Sequence, residues 1–176
     1  MNFRETDLEG VVVVELEPIA DERGSFARTF DAAAWEARGL SARVLECSLS
    51  RNLARGTLRG MHYQAAPDGE TKLVRCSRGR IFDVAVDLRL QSATYCRWFG
   101  LELSDENGRM LYLPEGIAHG FLTLTAGAEV LYQMSDVYVP ASARGVRWDD
   151  PAFGIEWPAT PQVISSRDRA YPDFVA

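Results

Sequence analysis

The sequence predicts an all-β fold, a jelly roll of two packed sheets, and three observations lead there. From Ala42 onward, strand-like stretches recur at the roughly 8–12 residue spacing of a sandwich or barrel. Their apolar residues alternate instead of following a helical period. A helical pattern is confined to one short segment, Ala32 to Arg38. The whole chain, 1–176, is expected to form one domain with a full hydrophobic core.

Taken in order, Gly10 to Leu16 reads as a first strand closed by Pro18. Asp21-Glu22-Arg23-Gly24 is a turn, and Ser25 to Phe30 a short strand after it. Asp31 is placed to cap the helix and Gly39 to end it. Further strands are expected over about 43–50, 57–64, 70–77, 80–88, 97–104, 109–113, 118–124 and 128–135. Arg80 to Arg89 alternates most clearly, with Phe82, Val84, Val86 and Leu88 on one face and Asp83, Ala85, Asp87 and Arg89 on the other. The stretch from Trp148 to Asp168 is irregular, aromatic and proline-punctuated, and is expected to wrap the body.

Composition narrows the function. The chain is 47% hydrophobic and 25% charged, as in an ordinary soluble protein, and its formal net charge is -6. That balance argues against a general nucleic-acid binder or a membrane-surface protein, while leaving room for a local basic pocket that takes a small anion. The start, Met1 to Gly10, is polar and unlike a signal peptide, and no apolar run approaches the roughly 20 residues that span a bilayer. Cys47, Cys76 and Cys96 lack paired metal spacing, so reduced thiols in the cytoplasm are expected.

The chemistry concentrates between Arg55 and Cys76, where Arg55, Arg59, His62, Tyr63, Gln64, Lys72 and Arg75 lie on two strands joined by a turn. A histidine beside cations in an acidic chain is a candidate for proton transfer. The other histidine, His119, begins a strand after the Pro114-Glu115-Gly116 turn, and Gly120 leaves room beside its ring for a ligand or another backbone. No His-x-His occurs, so a metal site would have to be assembled from two distant histidines with Asp83 or Glu129, and none is expected. Asp83 and Asp87 share a strand face, where either could orient an imidazole. In a regular strand Arg59 points away from His62, so a shared pocket needs a bend or bulge, which Gly60 would permit.

Several long runs occur in an order that resembles the dTDP-4-dehydrorhamnose 3,5-epimerase family. They are Arg55-Gly56-Thr57-Leu58-Arg59-Gly60-Met61-His62-Tyr63-Gln64, Thr71-Lys72-Leu73-Val74, Phe82 through Arg89, and Pro114 through Phe121. Asp21-x-Arg23-Gly24, Trp148-x-Asp150-Pro151 and Ile155-x-Trp157-Pro158 add to them. The resemblance covers nearly the whole chain. It implies a cupin-type jelly roll, a homodimer with exchanged N-terminal strands, no metal or other cofactor, and a nucleoside-diphospho-4-keto-6-deoxysugar substrate.

By the same resemblance His62 is the base, held by Asp168, and Tyr132 is the acid on the opposite face of the sugar. Lys72 would lie near the C4 oxygen. Arg59 and Arg23 would hold the diphosphate or nucleoside, with Gln64 also on the substrate side. His119 with Asp83 completes the polar wall, and Tyr138 stacks on the base. The chain departs from the typical family pattern at Arg28, Cys47, Leu49 and Ala143, where a glutamate, a glutamine, an asparagine and a glutamate are usual. The first three are assigned by resemblance to the nucleoside side, so relaxed thymidine discrimination is expected. The activity implied is epimerisation at C3 and C5. An enzyme inverting one centre, a 3,4-ketoisomerase, a metal-dependent cupin enzyme and a non-catalytic sugar-nucleotide binder are the alternatives.

Overall fold

The computed structural model describes residues 1–175. In chain order the elements are β1 (Asn2–Glu5), β2 (Val12–Glu15), β3 (Ile19–Asp21), β4 (Gly24–Phe26), α1 (Ala32–Glu36), β5 (Glu46–Asn52), β6 (Thr57–Gln64) and β7 (Lys72–Arg78). Then follow β8 (Arg80–Asp87), β9 (Trp98–Ser104), β10 (Arg109–Leu113), β11 (Ile117–Thr123), β12 (Ala128–Met134), β13 (Ala143–Gly145), β14 (Val163–Ile164) and α2 (Ser166–Arg169). One sheet runs β1-β2-β10-β7-β12-β5 and the other β13-β6-β11-β8-β9, with β14 added in parallel to β6. This is the two-sheet jelly roll expected from the alternating strands. Strands distant in sequence lie side by side within each sheet, so no sheet folds from consecutive hairpins alone.

Between the sheets lies an apolar layer. Val13, Leu111, Val74 and Val130 come from the first sheet, and Ile81, Ala85, Leu103 and Phe121 from the second, all essentially inaccessible. The apolar face of β8 turns the other way. Val84 and Val86 pack outward with Phe153, and Ile155 and Trp157 join them from the tail. The tail therefore wraps the second sheet because that sheet is apolar on both faces, which burial makes favourable at about 25 cal/mol per Å². The first sheet's outer face is covered in part by Trp35 of α1, packed on Val12, Val14 and Met110. Asp31 caps α1 by accepting from the Ala34 N–H, and Gly39 follows with a positive φ of 71°.

Several expectations shift. The strand expected over 43–50 runs from Glu46 to Asn52, because it pairs with all of β12. The short strand expected over 25–30 ends at Phe26 and forms a small hairpin with β3, standing apart from both sheets. β1, β13, β14 and α2, all brief, had no counterpart in the sequence pattern. The three cysteines are unpaired, and burial pushes the Cys76 thiol up to about 11. Among the described residues no helix is long and apolar enough to cross a membrane.

Candidate active site

Residues of both sheets line a cleft of about 540 Å³, among them Arg59, His62, Lys72, His119 and Tyr132, with Asp168 added from the tail. A recess of about 300 Å³ adjoins it and shares His62, Lys72 and Tyr132 while adding Tyr138 and Gln64. Strand alternation delivers most of these side chains. Lys72 and Tyr132 point inward from β7 and β12 of the first sheet, and His62 and His119 face each other across β6 and β11 of the second.

Arg59 joins them through a break in register. β11 pairs His119 with His62 but Phe121 with Arg59, so two residues of β6 oppose Gly120 alone. Gly60 sits there at a φ of 141°, and a side chain on it would come within 2.5 Å of the Gly120 Cα. The bend expected at Gly60 is therefore present, and the space beside Gly120 is filled by that crossing backbone. Arg59 donates through Nε to Asn52 Oδ1 at 2.8 Å. That bond fixes the side chain and leaves its terminal nitrogens without a protein partner among the described residues.

His62 Nε2 lies 2.7 Å from Asp168 Oδ1. Asp168 comes from α2, in the tail, where Ser165 caps the helix by accepting from the Asp168 N–H at 3.0 Å. The second carboxylate oxygen accepts from the Gly60 N–H at 3.3 Å. Burial alone would raise the Asp168 pKa, but the hydrogen bond and charge of His62 outweigh it, so the carboxyl sits below its usual range. The His62 side chain is 41% exposed toward the cleft while Asp168 is 5% exposed, the arrangement of a reachable imidazole backed by a buried anion.

His119 Nε2 is 2.8 Å from Asp83 Oδ1, both nearly sealed, and Asp83 Oδ2 has no partner among the described residues. The His119 ring stands edge-on to Tyr132 at 5.9 Å. Burial first, and then the Asp83 charge, raise the Tyr132 pKa far above that of a free phenol, so the hydroxyl holds its proton at every working pH. No protein hydrogen bond engages that hydroxyl among the described residues, leaving it free to donate into the cleft. Lys72 Nζ contacts the His62 carbonyl oxygen at 3.3 Å and Glu70 Oε1 at 3.2 Å.

Other candidates fall differently. Gln64 lines the recess, but its amide holds protein. Nε2 donates to the Asp68 and Val137 carbonyls, and Oε1 accepts from the Val139 N–H at 2.6 Å. It thereby fixes the segment that carries Tyr138, which is half exposed at the recess. Arg23 is paired with Asp21 on the β3–β4 hairpin and does not reach the cleft of its own chain. Cys47 and Leu49 require a correction. β5 pairs Ser48 with Tyr132, whereas Leu49 and Cys47 pair with Leu131 and Gln133, so the latter two lie on the outer face of the sheet. The side chains of β5 that line the cleft and recess are Glu46, Ser48 and Ser50. Arg28 is ion-paired with Asp31. Arg167 and Glu70 also line the site without having been singled out; only the Ser165-x-x-Asp168 capping pattern could have flagged the helix that carries Arg167. Among the described residues no group of three or more His, Cys, Asp and Glu side chains is placed to hold a metal ion.

Comparison with known proteins gives a consistent answer. Residues 5–176 match the family model described as dTDP-4-dehydrorhamnose 3,5-epimerase. The chain is 46% identical to the dTDP-4-dehydrorhamnose 3,5-epimerase of Methanothermobacter thermautotrophicus, over 95% of this chain and 91% of that one. It is 40% identical to a dTDP-4-dehydrorhamnose 3-epimerase of Streptomyces niveus, over 96% and 82% of the two chains. The crystal structure of dTDP-4-dehydrorhamnose 3,5-epimerase from Bacillus anthracis, with TDP and PPi bound, superposes with a TM-score of 0.95 at 35% identity, covering 98% of this chain and 99% of that one.

Proposed function

Since this chain belongs to the dTDP-4-dehydrorhamnose 3,5-epimerase family, we propose that it inverts C3 and C5 of a nucleoside-diphospho-4-keto-6-deoxyhexose, as an isomerase working by proton transfer. The observation that carries this reading is the convergence on one cleft of a carboxylate-backed imidazole, an ammonium and a free phenol.

The C4 ketone makes the hydrogens on its two neighbouring carbons acidic. His62 removes one as a proton, and the electron pair of the broken C–H bond moves into the carbonyl to give an enolate. Asp168 holds the imidazole in orientation and stabilises the imidazolium that forms. Lys72 faces the C4 oxygen, where the negative charge develops; one such group is typically worth about 3–4 kcal/mol. Tyr132 returns a proton to the carbon from the face opposite His62, which inverts the centre. Arg59 takes the diphosphate, His119 and Asp83 close the polar wall, and Tyr138 stacks on the base.

The whole chain acts as one epimerase domain, in the cytoplasm, and as a homodimer that exchanges N-terminal strands. The β3–β4 hairpin supports this arrangement, since Ile19 and Phe26 are 74% and 72% exposed there. Arg23 on the same hairpin then serves the second copy's cleft.

Incubation with dTDP-4-keto-6-deoxyglucose in D₂O tests the activity. Deuterium at both C3 and C5 of an inverted product is expected. Label at C3 alone would move the reading to the single-centre class that the Streptomyces relative represents, and no label at either carbon would end it.

A further inference from the structure

Beside the cleft, Lys72 is coupled to an acidic residue that the catalytic scheme leaves without a task. Glu70 Oε1 lies 3.2 Å from Lys72 Nζ, and the two side chains are only 10% and 12% exposed. The Lys72 ammonium has three N–H directions. The His62 carbonyl oxygen, at 3.3 Å, takes one of them, and the ion pair with Glu70 holds the ammonium in place beside the cleft. The Gln64 amide, whose two N–H groups go to the Asp68 and Val137 carbonyls, lies 3.5 Å from the other oxygen of Glu70. Glu46 borders the same recess without pairing with Lys72 among the described residues, and the other charged groups there, Arg144 and Arg167, are cations.

Lys72 is long and flexible, and its ammonium stabilises an enolate oxygen only where it is held beside that oxygen. We propose that Glu70 is a positioning residue for the epimerisation, its ion pair holding the Lys72 ammonium where it meets the C4 oxygen. This inference rests on the assignment of Lys72 made above. Because the enolate charge exists only after proton removal, Glu70 should influence the turnover step and leave ground-state binding alone.

The test is a double-mutant cycle on the intact protein with Glu70→Gln, Lys72→Met and the pair together, read by C3/C5 deuterium exchange, KM, and the Kd for TDP. Glu70→Gln keeps the shape and an acceptor oxygen while removing the charge. Its kcat is expected to fall roughly 10- to 100-fold, short of losing the whole donor, with KM and the TDP Kd within about 3-fold of wild type. In the Lys72→Met background it should cost nothing further. An unchanged kcat, a TDP affinity that falls with it, or an equal loss in both backgrounds would overturn the proposal. Should Glu70→Gln alone fail to fold while the double variant folds, the two charges depend on one another as proposed; failure of both would make Glu70 a purely structural residue and end the idea. A fully active Lys72→Met would instead remove the assignment of Lys72 itself.

Discussion

Two imidazole–carboxylate pairs meet at this cleft, directly opposed across neighbouring strands, and they are built to different ends. In the His62–Asp168 pair the ring is 41% exposed, and both carboxylate oxygens are engaged, one by His62 and one by the Gly60 N–H. In the His119–Asp83 pair the side chains are 5% and 0% exposed, and one carboxylate oxygen is left bare. Residue type and spacing are nearly the same, at 2.7 and 2.8 Å. Solvent access and carboxylate saturation separate them. A ring that must reach a carbon on a bound sugar has to be open on one side and firmly held on the other. The sealed pair instead packs against Tyr132, where the Asp83 charge adds to burial in raising the pKa of the phenol.

The largest effect that sharpens this contrast belongs to His62→Ala. Proton exchange at both C3 and C5 should fall by about 10⁴, since proton transfer by a positioned side chain is worth up to that much. TDP affinity should stay close to wild type. Exchange followed by NMR in D₂O is the measurement, and near-normal labelling by this variant would reverse the roles assigned to the two histidines.

Tyr132→Phe comes next. The ring keeps its packing against His119, while the phenolic proton is lost from the side of the cleft opposed to His62. Inverted product should drop by roughly 10²-fold, whereas exchange with retention continues at one centre at least. Equal product yields from variant and wild type would remove Tyr132 as the donor and leave the sealed pair with nothing to act on.

The strands, and which candidate side chains they bring to one cleft, were legible because alternation with a period of two fixes which residues share a face. The bulge at Gly60 was legible as well, from the conflict between Arg59 and His62. What alternation does not give is the partner strand, and the positions of Cys47 and Leu49 illustrate the consequence. Only pairing with β12 tells which half of β5 looks inward, and a one-residue change of register exchanges the two sets. Asp168 lies in a four-residue helix within an aperiodic tail, so its place beside His62 followed from family resemblance and not from pattern. Glu70 was within reach of the pattern, since the strand expected over 70–77 puts it on the same face as Lys72; in the structure β7 begins only at Lys72, yet the two side chains still meet.

The smallest effect expected is also the one that most directly sets the two carboxylates against each other. Asp168→Asn removes the charge behind the base and can place an amide N–H against the ring nitrogen, trapping the wrong tautomer, which in an analogous arrangement costs about 10⁴ in turnover. Asp83→Asn makes the same exchange of groups in the sealed pair, but two consequences oppose each other there. The hydrogen bond to His119 weakens, loosening a ring that packs edge-on to Tyr132. Against that, a buried carboxylate with one unpartnered oxygen disappears, and burying an uncompensated charge is unfavourable to begin with. The Asp83 charge is also the second cause, after burial, of the high Tyr132 pKa. Removing it lowers that pKa and makes the phenol a readier donor, while burial alone still keeps it protonated at neutral pH. The net change in turnover should therefore stay within about 10-fold, with no loss of thermal stability. The activity–pH curve should keep its alkaline limb, because Tyr132 remains un-ionised across that range in both proteins. Parallel measurement of the two asparagine variants decides the matter. If Asp83→Asn costs as much turnover as Asp168→Asn, the sealed pair takes part in proton transfer, and the distinction between an open and a closed pair does not hold.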